Sequence, residues 1–157
     1  MGTKIHNVLA ALLIAGPAGA NALEGDWHCL QEGPEARVEA EASFSPDGVF
    51  TAQMEYRFVR NGTNLRVTAL YAATWRLDGA MFWDDPQDAR ITGTFVDGEP
   101  ADLPELARSI RASLMEPPDS PMQLTFQDPD FMLLRGVDDA GTATPFQCVR
   151  LGRETDL

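Results

Sequence analysis

Lysine and histidine are almost missing from this chain of 157 residues. Lys4 is the single lysine, His6 and His28 are the two histidines, and every other base is arginine. A metal site built from several histidines and the histidine-containing hydrolase motifs are therefore excluded from one copy of the chain once an N-terminal leader is set aside. Gly-x-Ser-x-Gly, glycine-rich phosphate loops and Cys-x-x-Cys are also absent, which removes the common signatures of esterases, nucleotide-binding domains and dithiol redox proteins. No cofactor or metal is called for. No apolar run approaches the ~20 residues that a membrane-spanning helix needs.

What the first residues do contain is the pattern of an export signal. Lys4 precedes an apolar run from Val8 to Ala15, Pro17 breaks it, and Ala18-Gly19-Ala20-Asn21-Ala22 supplies small residues for cleavage. Residues 1–22 are expected to be removed by a cut after Ala22, although a cut after Ala20 satisfies the same rule. No cysteine follows either site, so a lipid anchor is not expected. Residues 23–157 should form one soluble domain, periplasmic or secreted.

Without Lys4, eleven arginines face 24 Asp and Glu, a net charge of about −13. Such a surface repels nucleic acid and anionic lipid, and it suits a basic protein partner. Cys29 and Cys148 are the only cysteines. In an oxidising compartment they are expected to pair, closing a long loop that could add ~4–5 kcal/mol to stability. A free, reactive thiol would need electropositive surroundings, which this acidic chain does not advertise.

Alternation of period two, broken by turn signals, fills the rest. Val38, Ala40, Ala42 and Phe44 alternate with polar neighbours before Ser45-Pro46-Asp47-Gly48, although the Ala and Glu content here would also suit a short helix. Phe50 to Phe58 alternates up to Asn61-Gly62, a strong hairpin signal. Leu65 to Trp75 forms a long strand that Asp78-Gly79 folds back onto Met81 to Trp83. Further strands are expected at 89–96, 122–126, 131–134 and 145–151. One helix is expected at about 103–115: Asp102 and Glu105 give a capping pattern, Pro104 fits the first turn, and Pro117-Pro118 ends it. Its face of Leu103, Leu106, Ala107, Ile110 and Leu114 should pack on the sheet. The expected fold is mainly β: a single antiparallel barrel of about eight to nine strands with this helix inserted before the last strands. A β-sandwich is the alternative.

Gly25-Asp26-Trp27, opening the first strand of such a chain, resembles the Gly-x-Trp signature of the lipocalins and their calycin relatives. The resemblance implies a closed barrel whose tryptophan plugs one end, with an arginine from the last strand packed across it. Arg150 is the counterpart here. If Cys29 and Cys148 face each other on antiparallel neighbours, the register places Trp27 opposite Arg150 on the same face. Trp27 and Arg150 should then form a structural clasp beside the disulfide. The Thr-Asp-Tyr motif of typical lipocalins is absent, and their helix follows the eighth strand.

The remaining candidates divide between chemistry and packing. His28 next to Cys29 looks reactive, but neighbours on a strand point to opposite faces. Asp84, Asp85 and Asp88 in "WDDPQDAR" could hold Ca²⁺ or act as an acid/base pair, or they form a solvated turn. Asp128 with Asp130, and Asp138 with Asp139, read the same way. Arg108 and Arg111 offer a small anion site or a solvated helix face. Tyr56, Tyr71, Trp75 and Trp83, with Phe58, are candidates to line a ligand cavity, because Ala69 and Ala73 beside Tyr71 leave room; a filled core is the plainer alternative. The leading functional expectation is an exported, non-enzymatic binding protein holding a small apolar or amphipathic ligand. The alternative is an acidic periplasmic interaction module, an inhibitor or immunity-type partner of a basic protein; a small hydrolase ranks third.

Overall fold

The computed structural model describes residues 20–136 and 144–152. Most of the expected leader, and Asp138 with Asp139, lie outside them. The chain begins with a helical turn, α1 (Ala20–Leu23), and runs through β1 (Gly25–Glu32), β2 (Ala36–Phe44), β3 (Val49–Arg60), β4 (Thr63–Asp78), β5 (Met81–Val96) and the short β6 (Glu99–Pro100). Helix α2 (Pro104–Met115) follows, and then β7 (Met122–Asp128), β8 (Phe131–Gly136) and β9 (Phe146–Arg150).

β1 to β5 pair antiparallel in chain order, β5 pairs with β7, β7 with β8, β8 with β9 and β9 with β1, so the sheet closes on itself. Eight strands make the ring, with β6 attached only to β5. This is the barrel rather than the sandwich, and closure leaves few strand edges exposed. The hairpins form where the turn residues allow them: Asn61 and Gly62 both take positive φ (52° and 77°) in the two-residue link from β3 to β4, as a tight hairpin requires. The Val38–Phe44 segment is a strand despite its Ala and Glu content, because its alternating Val38, Ala40, Ala42 and Phe44 are all buried.

Alternation sets the core. Trp27 and Cys29 on β1, Val67 to Trp75 at every second position on β4, Met132 and Leu134 on β8 and Cys148 on β9 all point inward.

Two expectations about β5 and α2 need correction. Met81–Trp83 and 89–96 are not separate strands: the intervening Asp-Asp-Pro-Gln-Asp stretch continues one strand of 16 residues. Pro86 is tolerated because a bulge sits beside it, the register jumping from Ala72–Asp88 to Ala73–Pro86 and leaving Gln87 without a partner. Helix α2 spans almost the expected residues, but Asp102 does not cap it; Leu103 occupies the cap position without a side-chain hydrogen bond. Its apolar face is half-buried, not sealed.

Candidate functional site

The first strand and the last meet as the register argument requires. Cys29 lies opposite Cys148 and is disulfide-bonded to it, and Trp27 lies opposite Arg150. The Arg150 guanidinium stands 4.1 Å from the Trp27 ring. It also donates to the carbonyls of Glu24 and Ala22, both at 2.6 Å, and pairs with Asp130 at 3.4 Å. The Trp27 indole N–H reaches the Leu23 carbonyl at 2.8 Å. Gly25 is needed here: its φ is +114°, and a Cβ would approach Arg150 Nη1 to 2.9 Å. The Gly-x-Trp stretch is thus a structural fastening.

His28 points outward, away from the disulfide, and pairs with Glu39 at 3.3 Å. No Cys–His dyad exists. The three aspartates of β5 do not converge either. Asp84 turns inward, Asp85 and Asp88 are exposed, and among the described residues no group of three or more Asp, Glu, His or Cys is placed to hold a metal ion.

What the barrel does enclose is a cavity of about 230 Å³. Its wall is made by small residues, Ala40, Ala42 and Ala52, facing the rings of Phe44, Phe50 and Phe82. Phe44 stacks on Phe50 at 4.6 Å and meets Phe82 edge-on at 5.8 Å. On the other side the lining comes from the end of α2 and its exit, through Leu114, Glu116 and Pro118. The reason is a gap in the barrel wall: β5 and β7 share only two residue pairs, Met81–Gln123 and Phe82–Met122, and α2 packs against β5 beyond them. Arg111 on α2 donates to the Ala89 carbonyl of β5 at 2.8 Å, standing in for a missing strand partner. Arg108 instead pairs with Glu105 on its own helix. The two arginines therefore do not form an anion site.

Polar atoms in the cavity are few. The Tyr71 hydroxyl donates to Asp84 at 2.5 Å, and burial, reinforced by this carboxylate, pushes the Tyr71 phenol well above its ordinary range. Glu116 is exposed yet lines the same cavity, so the cavity opens to solvent beside it.

Of the four aromatic candidates, Tyr71 alone lines this cavity. Trp75 is buried against Phe44 at 5.9 Å, with its indole N–H on the Val49 carbonyl at 3.1 Å, and acts as core. Tyr56 shares the inward face of β3 but lies opposite Val67, beyond the cavity; its hydroxyl contacts the Met54 sulfur at 3.6 Å, and burial pushes its phenol up to about 12. Trp83 faces outward, opposite Arg76, whose guanidinium lies 4.9 Å from its ring. Phe82 takes the inward position one residue earlier. Phe58 is half-buried opposite Leu65 and does not reach the cavity. The room does not come from Ala69 and Ala73, which sit in packed wall, but from the alanines of β2 and β3.

Larger depressions lie on the outer wall. One of about 820 Å³ carries Arg37, Arg57, Arg60 and Arg66. Arg57 stands directly opposite both Arg37 and Arg66, a costly like-charge row. Glutamates offset it: Arg37 pairs with Glu32 and Glu39, while Glu55 serves Arg57 and Arg66. Burial raises the Glu55 pKa, but those two arginines outweigh it and hold the carboxyl below its ordinary value. The row is neutralised internally, which leaves the interior cavity as the better binding site. No family model matches the chain, and no curated protein matches it.

Proposed function

We propose that this chain is an exported, non-enzymatic binding protein, a calycin-like barrel that holds a small apolar or amphipathic molecule in the cavity between β2, β3 and α2. The observation that carries the reading is the 230 Å³ of space walled by Ala40, Ala42 and Ala52 and faced by phenylalanine rings. An apolar cavity of ~150 Å³ already admits benzene, and drug-sized pockets begin at about 300 Å³. The space here suits a single ring with a short chain. Export is supported by the Cys29–Cys148 bond, which persists in oxidising compartments. No helix among the described residues is long and apolar enough to cross a membrane.

Binding would work by transfer of an apolar body out of water. Covering about 150–200 Å² of a ring-sized ligand yields roughly 4–5 kcal/mol at 25 cal/mol per Å², against a comparable cost of lost translational and rotational freedom. The apolar body alone therefore binds weakly, and polar contacts at the mouth decide affinity. The test is purification from the native compartment, organic extraction and mass spectrometry, beside an Ala52→Leu variant that fills the space. A small molecule recovered from the native protein and missing from the variant supports the reading. Recovery of nothing from either, with an empty cavity that also refuses added aromatic probes, contradicts it.

A further inference from the structure

The cavity carries an asymmetry that the apolar reading alone does not use. Its polar side chains include two carboxylates, and no arginine, lysine or histidine among the described residues forms an ion pair with either. Asp84 sits on β5 two residues past Phe82, the last residue paired with β7, where the strand wall gives way to the helix. It shares a face with Trp75, its partner on β4. Glu116 follows the last turn of α2 on the opposite side of that gap and is exposed. The rest of the lining is overwhelmingly carbon: alanines, phenylalanines, Leu114, Met122 and Leu134.

A carboxylate beside an apolar space is costly unless something compensates its charge. Tyr71 provides one hydrogen bond to Asp84, and a hydroxyl brings no positive charge. A ligand whose apolar end fills the phenylalanine wall and whose cationic end reaches the mouth would supply it. An anionic ligand of the same shape would be repelled by both carboxylates, and by the acidic surface around them.

We infer that the cavity selects a primary amine on a short aromatic body, an arylalkylamine, with the ring among Phe44, Phe50 and Phe82 and the ammonium held between Asp84 and Glu116. This rests on the binding-protein reading and adds the headgroup to it. An ammonium donates up to three hydrogen bonds, enough for the two acids and one further acceptor in the proposed pose. Tyr71 fixes the Asp84 carboxylate in place. It is a positioning residue, and the two acids are the contacts.

The experiment is calorimetric titration of the disulfide-bonded protein with three probes that share one ring and differ at the chain end: phenethylamine, phenethyl alcohol and hydrocinnamate. Phenethylamine is expected to bind at least about tenfold more tightly than the alcohol, the value of a hydrogen bond to a charged group, and hydrocinnamate more weakly than either. Asp84→Asn keeps an acceptor for Tyr71, and Glu116→Gln alters an exposed side chain, so both variants should fold. In each the amine should lose most of its advantage while the alcohol changes by less than about twofold. Equal binding of amine and alcohol to the native protein overturns the headgroup inference and leaves the apolar cavity standing. An amine preference that survives both substitutions also overturns it, because the general acidity of the surface would then be the cause. Binding of none of the three overturns the cavity reading itself.

Discussion

Where β1 meets β9, four residue pairs, a disulfide and an arginine bridging three segments hold the barrel shut. Where β5 meets β7, two residue pairs suffice and a helix with no fully buried residue fills the remainder. The first seam joins segments 119 residues apart in sequence and so carries the greater closure cost. The second joins segments separated only by β6, α2 and their loops, yet it is left weaker. A fold that spends its strongest fastenings on one seam and leaves a helix resting on the other has a rigid side and an access side. Local stability should follow the same division.

Breaking the strong seam has the largest expected effect. Replacing Cys29 and Cys148 together by alanine should cost about 4–5 kcal/mol on the chain-entropy model, read as a lower denaturation midpoint; a loss below about 1 kcal/mol would mean that the ends are held mainly by the clasp. Arg150→Ala comes next, at about 2–4 kcal/mol, because the carbonyls of Ala22, Glu24 and Pro129 lose their donor and the Trp27 ring loses its cation. Urea denaturation of this variant, with the disulfide intact, checks it. A change at the second seam should be smaller: Arg111→Ala frees one carbonyl of β5 and costs about 1 kcal/mol. Its clearer signature is faster amide hydrogen exchange in α2 with β1 and β9 unchanged, and uniform acceleration would contradict the division into two seams.

The smallest effect at neutral pH lies in the tyrosines. Tyr56 and Tyr71 are the only two in the sequence, so tyrosinate absorbance reads the inward faces of β3 and β4 directly. Burial raises Tyr56 to about 12, and Tyr71 is raised further by the Asp84 carboxylate, whereas an unfolded tyrosine titrates near 10. Between about pH 10 and 12 the folded chain therefore binds more protons than the unfolded one. Stability should be unaffected by these groups below pH 10 and should fall above it. Half-ionisation of both tyrosines at pH 10 in the native protein would show that their hydroxyls are not sequestered.

The clasp was legible in the sequence because three regular signals coincide there: Gly-x-Trp, the paired cysteines and the alternation that carries their register to Arg150. The hairpins were legible for the same reason, since Asn61-Gly62 and Asp78-Gly79 have few alternatives. The cavity was not. Its mouth lies where β7 stops short along β5, beside turn-forming residues that mask a continuous strand, and its wall depends on parity at Phe82, which puts the smaller aromatic inside and Trp83 outside. Its space arises from alanines on β2 and β3, and an alanine at an inward position carries no sign of whether a neighbour fills the gap. Arg111 was equally hidden, because its partner is a carbonyl that is free only if β7 stops short.

The most direct test of the access-side account is an amide NMR titration of the disulfide-bonded protein with phenethyl alcohol, a neutral probe of the apolar cavity. The account predicts saturable shifts at Ala40, Ala52, Phe82 and Leu114, with Trp27, Val149 and Arg150 at the clasp unmoved. Shifts confined to the outer wall, or none at all, would contradict it.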